Sequence, residues 1–283
     1  MPVTPVERQV TLRDGFRLAL RVWTPAHEPL GTVVIAHGLG EHAGRYQQLA
    51  RALSDAGWEV HAADQRGHGR SPGARGVVPA TETIRDDIIE SLTFARATSA
   101  RSERALPIIL LGHSMGGAFS AWAVAHRPDA ADALILSSPA LLADLSFVQR
   151  LMMNTMRHLA PDIAVSNGLN PRYVSRDPAV VTAYINDPLV HDRVSSRLAH
   201  AIVTAGATAR LAASRWATPT LLLYAGADRL VNPRGSEEFA AALPASVVTA
   251  RRFDSAYHEI FNEPDRQTAV NDVITWLKHR VAS

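Results

Sequence analysis

The sequence predicts an α/β fold: a mostly parallel central sheet with helices on both faces and a helical cap inserted between two of its strands. Three observations carry this expectation. Short apolar runs alternate with longer stretches of helical periodicity, the pattern of strand–helix units whose strands are buried on both faces. One of these runs, Ile108 to Leu111, passes through Gly112-His113-Ser114-Met115-Gly116 directly into a helical stretch. Finally, residues 141–215 break the alternation, holding helical patterns and no convincing strand.

Taken in order, Val6 to Trp23 alternates and contains Asp14-Gly15, a hairpin signal between two extended runs. Thr32 to Ala36 is a continuous apolar strand ending at His37-Gly38. A helix is expected over Arg45 to Ala56, with Leu49, Ala52, Leu53 and Ala56 on one face and Gly57 as its stop. Trp58 to Ala63 reads as a strand and Asp64 to Gly76 as a glycine-rich loop. Thr81 to Ala97 reads as a helix, Pro107 to Leu111 as a strand, Met115 to Ala125 as a helix and Ala133 to Ser137 as a strand. The cap offers three helices, Leu141 to Leu159, Pro178 to Ile185 and Asp192 to Ala213. Strands Pro219 to Tyr224 and Val247 to Phe253 and a closing helix, Asp265 to Val281, complete the chain. The expected division is a core of residues 1–140 and 216–283 with a cap of residues 141–215.

Composition excludes several classes. The 283 residues are 47% hydrophobic and 20% charged, with a net charge of +2, figures of a folded globular chain rather than a disordered or fibrous one. Without cysteine, disulfides, thiolate zinc sites and a cysteine nucleophile are impossible. All but one of the basic residues are arginine, and they are spread along the chain, so nucleic acid is not an expected partner. Met1 to Val10 has no apolar core, and no run approaches the roughly 18 apolar residues of a membrane span. A cytoplasmic protein is expected.

The chemistry lies at Ser114. A serine on a sharp strand-to-helix turn sits in a strained backbone conformation, and its flanking positions must be small. Gly112 and Gly116 meet that need, and Gly117 allows close packing of helix on strand. The helix N-terminus beneath the serine favours negative charge there. A hydroxyl nucleophile needs a base and a group to orient it, and on this kind of turn the acid and then the histidine follow the serine in the chain. Asp228 follows the strand ending at Tyr224, at the strand end that faces the ligand crevice. Only His258 and His279 come later. His279 ends the last helix, where it complements the helix dipole, so His258 is the expected base. Asp254 rivals Asp228 but reads as a solvated loop carboxylate. The oxyanion donors expected are the backbone N–H groups of Met115 and of Leu39, in the His37-Gly38-Leu39-Gly40 loop.

Several segments together carry a family resemblance: His37-Gly38-Leu39-Gly40-Glu41-His42-Ala43-Gly44-Arg45-Tyr46, Asp64-Gln65-Arg66-Gly67-His68-Gly69-Arg70-Ser71, the turn Gly112 to Gly117, Gly226-Ala227-Asp228 through Pro233, and Tyr257-His258-Glu259. With these the chain resembles the monoacylglycerol lipase and lysophospholipase branch of the α/β-hydrolases, from about residue 10 to the C-terminus. The resemblance implies an α/β-hydrolase fold, Ser114, Asp228 and His258 as a triad, Leu39 and Met115 as oxyanion donors, and hydrolysis of a glycerol monoester of a fatty acid without cofactor or metal. It makes Glu41 and Arg45 candidates for the glycerol end. Four residues apart, they equally suit an ion pair that shapes the loop.

In the first cap helix, Leu142, Leu145 and Met152 are candidates to line an acyl tunnel, since methionine is an adaptable lining and the segment is more apolar than one core face requires. Part of this helix is expected to touch membrane or micelle transiently; packing on the core alone is the competing reading. His61, Asp64 and His68 lack a metal-binding spacing, and the glycines do not form a nucleotide loop. The remaining alternatives are a lysophospholipase, a general short-chain carboxylesterase, a carbon–carbon bond hydrolase and a non-catalytic ligand-binding relative.

Overall fold

The computed structural model describes residues 4–99, 105–144 and 147–281. The chain opens with strands β1 (Val6–Thr11) and β2 (Arg17–Trp23). They pair antiparallel across a turn in which Asp14 Oδ1 accepts the Phe16 N–H at 2.9 Å and Gly15 takes φ +82°, a conformation open to glycine at no steric cost. Next come β3 (Thr32–Ala36), α1 (Gln47–Asp55), β4 (Glu59–Ala63), α2 (Thr83–Ser99), β5 (Ile108–His113), α3 (Ser114–His126) and β6 (Ala133–Ser137). The inserted segment holds α4 (Phe147–Leu159), β7 (Ala164–Ser166), α5 (Pro178–Asn186), β8 (Arg193–Ser195) and α6 (Ser196–Ala212). β9 (Thr220–Ala225), α7 (Arg234–Ala242), β10 (Val248–Phe253) and α8 (Arg266–Val281) complete the described chain.

Eight strands form one sheet in the order β1-β2-β4-β3-β5-β6-β9-β10. Only the β1–β2 and β2–β4 pairs are antiparallel; the remaining pairs from β4 to β10 are parallel. The central strands are apolar on both sides because both sides are covered. Val34, Ala36, Ile108 and Leu110 point to one core, shared with Ile88 of α2, Phe119 of α3, Leu198 of α6 and Phe239 of α7. Val33, Ile35, Ile109 and Leu111 point to the other, shared with Leu49 and Leu53 of α1 and Val273 and Leu277 of α8. Each such fully buried aliphatic side chain stabilises the fold by about 1.5–3 kcal/mol. This packing fixes the C-terminal ends of the parallel strands β3, β5, β6, β9 and β10 along one edge of the sheet, where the site forms.

The structure departs from the sequence expectation in three places. First, Leu141 to Asp144 is not helical, and the first cap helix begins at Phe147. Instead Leu141 is buried in the first core and Leu142 lines a cavity beside Ser114, while their backbone passes so close to Gly206 of α6 and Gly235 of α7 that a Cβ at either glycine would collide with it. Second, the cap contains strand after all: β7 and β8 pair antiparallel with Val165 opposite Val194. Third, α7 was not anticipated.

The last cap helix, α6, is capped by Ser195, whose side chain accepts the Leu198 N–H at 3.2 Å. It turns Ala201, Ala205 and Ala209 into the first core. Further ties seat the cap: the His191 N–H donates to Gly40 O, the Ser195 N–H to Gly76 O and the Glu259 N–H to Val174 O, each at 2.8 Å.

Candidate active site

β5 delivers His113 and Ser114 to the mouth of the sheet, and the chain turns at once into α3. Ser114 takes φ +52°, the left-handed region that non-glycine residues enter at a cost of about 1–3 kcal/mol. The turn closes only because its neighbours lack side chains. A Cβ at Gly116 would collide with the carbonyl oxygens of Ala36 and His37. The Ser114 carbonyl accepts the Ala140 N–H at 2.9 Å. Met115 lies in the first turn of α3, where backbone N–H groups have no intrahelical acceptor.

The loop after β3 is held from both ends. Gln65 donates its backbone N–H to His37 Nε2 at 2.9 Å and its side-chain N–H to His37 O at 2.6 Å. The remaining ring nitrogen of His37 therefore donates to Gly38 O, at 2.8 Å. Burial lowers the pKa of His37, in keeping with a neutral ring. Glu41 Oε1 accepts the Gly38 N–H and the Tyr46 hydroxyl, both at 2.6 Å. Leu39 follows directly and lines both cavities described below.

Asp228 leaves β9 in a tight loop. Its Oδ1 accepts the N–H groups of Leu230 at 2.8 Å and Val231 at 3.0 Å, and its Oδ2 faces His258 Nδ1 at 2.7 Å. A carboxylate only accepts, so Nδ1 carries the proton and Nε2 of the neutral ring keeps its lone pair. Burial opposes charge on both partners. For Asp228 the His258 charge and hydrogen bond and the two backbone N–H groups outweigh burial and lower its pKa. For His258 the Asp228 charge and hydrogen bond, joined by Glu259 and Glu41, outweigh burial and raise its pKa. His113 packs against His258 with ring centroids 4.7 Å apart. Burial, followed by the neighbouring His258, brings the His113 pKa down to about 3, so this ring stays neutral.

Ser114 opens into two cavities. The smaller, about 280 Å³, runs under the cap past Asn167, Asn170, Tyr184, His191 and Asp192. The larger, about 590 Å³, runs past Met115, Leu142, Ala143, Ile202 and Val231. Leu39, Leu169 and Leu230 border both.

The structure thus brings together Ser114, Asp228, His258, Leu39, Met115, Glu41 and Leu142. Arg45 lines neither cavity; it stands behind Glu41, with its Nε–H donating to Glu41 Oε2 at 3.1 Å. Leu145 and the side chain of Met152 lie outside the described residues. Asp254 is a surface carboxylate, 88% exposed and paired with Arg252 at 2.8 Å. His61, Asp64 and His68 serve the fold: His61 pairs with Glu59 at 2.7 Å, Asp64 accepts the Ala43 N–H at 2.7 Å, and His68 donates to Arg66 O at 2.9 Å.

Sequence reasoning passed over Glu259 and the polar cap residues. Glu259 was visible beside the base, but nothing local showed its partner. Asn167, Asn170 and His191 sit on loops whose seating depends on the whole cap.

The chain is similar to several known proteins. The family described as serine aminopeptidase, S33, matches residues 27–265. The chain is 37% identical over 268 residues to a monoacylglycerol lipase of Mycolicibacterium smegmatis, covering 93% of each chain. It is 32% identical over 275 residues to the monoglyceride lipase of Rattus norvegicus, covering 95% of this chain and 89% of that one. Among solved structures, Paleococcus ferrophilus monoacylglycerol lipase superposes with a TM-score of 0.81 at 35% identity, covering 92% of this chain and 98% of that one.

Proposed function

This chain belongs to the monoacylglycerol lipase branch of the α/β-hydrolase serine hydrolases, and we propose that it cleaves monoacylglycerols to fatty acid and glycerol through Ser114, His258 and Asp228. The observation that carries this reading is the buried 2.7 Å Asp228–His258 hydrogen bond beside a serine that the turn holds at φ +52° where two cavities meet.

In the proposed reaction, His258 Nε2 accepts the Ser114 proton as Oγ attacks the ester carbonyl carbon. Charge develops on the carbonyl oxygen, and the N–H groups of Leu39 and Met115 stabilise it. The intermediate collapses, the carbon–oxygen bond to glycerol breaks, and the imidazolium returns its proton to the leaving oxygen. An acyl-serine remains. Water then loses a proton to His258 and attacks the acyl carbon, and the second collapse breaks the bond to Ser114 Oγ as the imidazolium returns its proton there, freeing the fatty acid. Asp228 fixes the tautomer and stabilises the imidazolium in both halves.

The two cavities suit the two halves of such a substrate. The larger, with Leu142, Ile202 and Val231, takes the acyl chain, and the smaller, with Asn167, Asn170 and His191, takes the glycerol. Outside the cavities, the cap exposes Leu151, Leu159, Ile163 and Val165, with Leu159 76% exposed. Such an apolar patch fits transient contact with a membrane or micelle holding the substrate.

The test is labelling with a serine-directed fluorophosphonate, followed by turnover of a panel of monoacylglycerols, lysophospholipids and p-nitrophenyl esters. Labelling should map to Ser114 and vanish in Ser114→Ala, with monoacylglycerols the best substrates. Retained labelling and turnover in that variant would overturn the nucleophile. Faster turnover of lysophospholipids would replace the substrate reading.

A further inference from the structure

Arg45 is buried, at 8% side-chain exposure, between two buried carboxylates. Its Nε–H donates to Glu41 Oε2 at 3.1 Å and an Nη2–H to Glu259 Oε2 at 2.5 Å. The other oxygen of Glu41 holds the N–H of Gly38, the residue before Leu39, and Glu259 is the residue after His258. Across a separation of 214 residues, one guanidinium therefore joins the loop carrying the expected oxyanion donor to the loop carrying the base. Its outer side faces the cap, with the Tyr184 ring of α5 centred 4.6 Å from the guanidinium carbon.

The chemistry of the bridge is specific. A planar guanidinium can donate to two carboxylates at fixed angles, which a lysine ammonium reproduces poorly. Removing the cation would leave two carboxylates close together in a buried site, a costly arrangement that drives neighbouring segments apart or forces a proton onto one of them. The electrostatics agree. Burial opposes charge on Glu41, but His113 and Arg45 outweigh it and lower its pKa. Burial raises the pKa of Glu259, Glu41 adds to that rise, and Arg45 opposes it.

We propose that Arg45 is a positioning residue that sets the oxyanion loop, through Glu41, against the base loop, through Glu259, and that its contact with Tyr184 makes this setting depend on a seated cap. The proposal rests on the serine-hydrolase reading above. It differs from glycerol recognition in placing Arg45 behind the site rather than on the substrate.

The experiment compares Arg45→Met, Arg45→Lys and Glu259→Gln with the unaltered protein. The readouts are fluorophosphonate labelling rate, steady-state kinetics on p-nitrophenyl butyrate and on a monoacylglycerol, and thermal unfolding. Arg45→Met should lower kcat about 100-fold on both substrates, the scale of a misplaced catalytic group, with KM nearly unchanged and labelling slowed in parallel. Arg45→Lys should recover part of kcat. Glu259→Gln should move the acid limb of kcat/KM to lower pH, because a negative charge beside the imidazole is lost.

A rise in KM confined to the monoacylglycerol, with full kcat on p-nitrophenyl butyrate, would overturn the proposal and make Arg45 a substrate ligand. An unmoved acid limb in Glu259→Gln would overturn the link to the base. If Arg45→Met does not fold, Arg45→Lys and Glu259→Gln decide: unaltered kcat and labelling in the first, with an unmoved acid limb in the second, overturns the proposal. Absence of label at Ser114 in the unaltered protein would instead overturn the serine-hydrolase reading itself.

Discussion

Asp228 meets His258 at 2.7 Å with both side chains almost sealed from water, at 2% and 7% exposure. In such a site the carboxylate has no solvent to share its charge with, and its remaining oxygen is occupied by the Leu230 and Val231 N–H groups. Asp228→Asn keeps this shape but places an amide against Nδ1, favouring the tautomer that cannot accept the Ser114 proton. The expected loss in kcat is about 10⁴-fold, measured on p-nitrophenyl butyrate. A loss under tenfold would remove Asp228 from the proposed role.

The pH dependence follows from the same pair. Burial pulls the His258 pKa down, but Asp228, Glu259 and Glu41 together raise it above the ordinary 6.5. The base must be neutral to accept a proton, so kcat/KM should fall as pH drops, with its midpoint above that ordinary value. In Asp228→Asn burial loses its main opponent, and the midpoint of the residual activity should move to lower pH. A midpoint at or below the ordinary value in the unaltered protein would contradict the raised pKa.

Ile202 on α6 lines the larger cavity away from the reacting groups. Ile202→Trp should fill that space and shorten the acyl chain accepted. The ratio of kcat/KM for a laurate ester to that for a butyrate ester should fall at least about tenfold, the discrimination a few methylenes supply in an apolar pocket. An unchanged ratio would show that the acyl chain does not run past α6.

Leu159 and Ile163 are 76% and 60% exposed on the outside of the cap. Leu159→Glu with Ile163→Glu should reduce flotation with phosphatidylcholine vesicles several-fold. Turnover of dissolved p-nitrophenyl butyrate should stay close to that of the unaltered protein. Equal flotation of both proteins would dispose of membrane contact through this patch.

Much of the fold, and the turn that presents Ser114 in the candidate site, were legible in the sequence because they are locally encoded. A strand buried on both faces has to be apolar through its length, as Val33 to Ala36 and Ile108 to Leu111 are, and the turn at Ser114 admits glycine alone at Gly116. Features that depend on distant contacts were not legible. Leu141 and Leu142 look like a helical face, but one fills the core and the other lines the larger cavity from a non-helical segment. β7 and β8 are three residues each, too short to show alternation. Arg45 and Glu41 have helical spacing, which hints at their pairing, yet Glu259 arrives from the far end of the chain. α7 carried a readable start in Pro233, whose ring suits a helix entrance.

The left-handed backbone of Ser114 sets the comfort of the fold and the proposed chemistry against each other at one position. Ser114→Gly removes the proposed nucleophile and, with it, the steric conflict of a side chain at φ +52°. Relief of about 1 kcal/mol or more, set against the greater freedom glycine has when unfolded, would leave an inert protein that melts no lower than the active one. A change toward glycine at this position therefore removes the proposed nucleophile without loosening the turn that presents it.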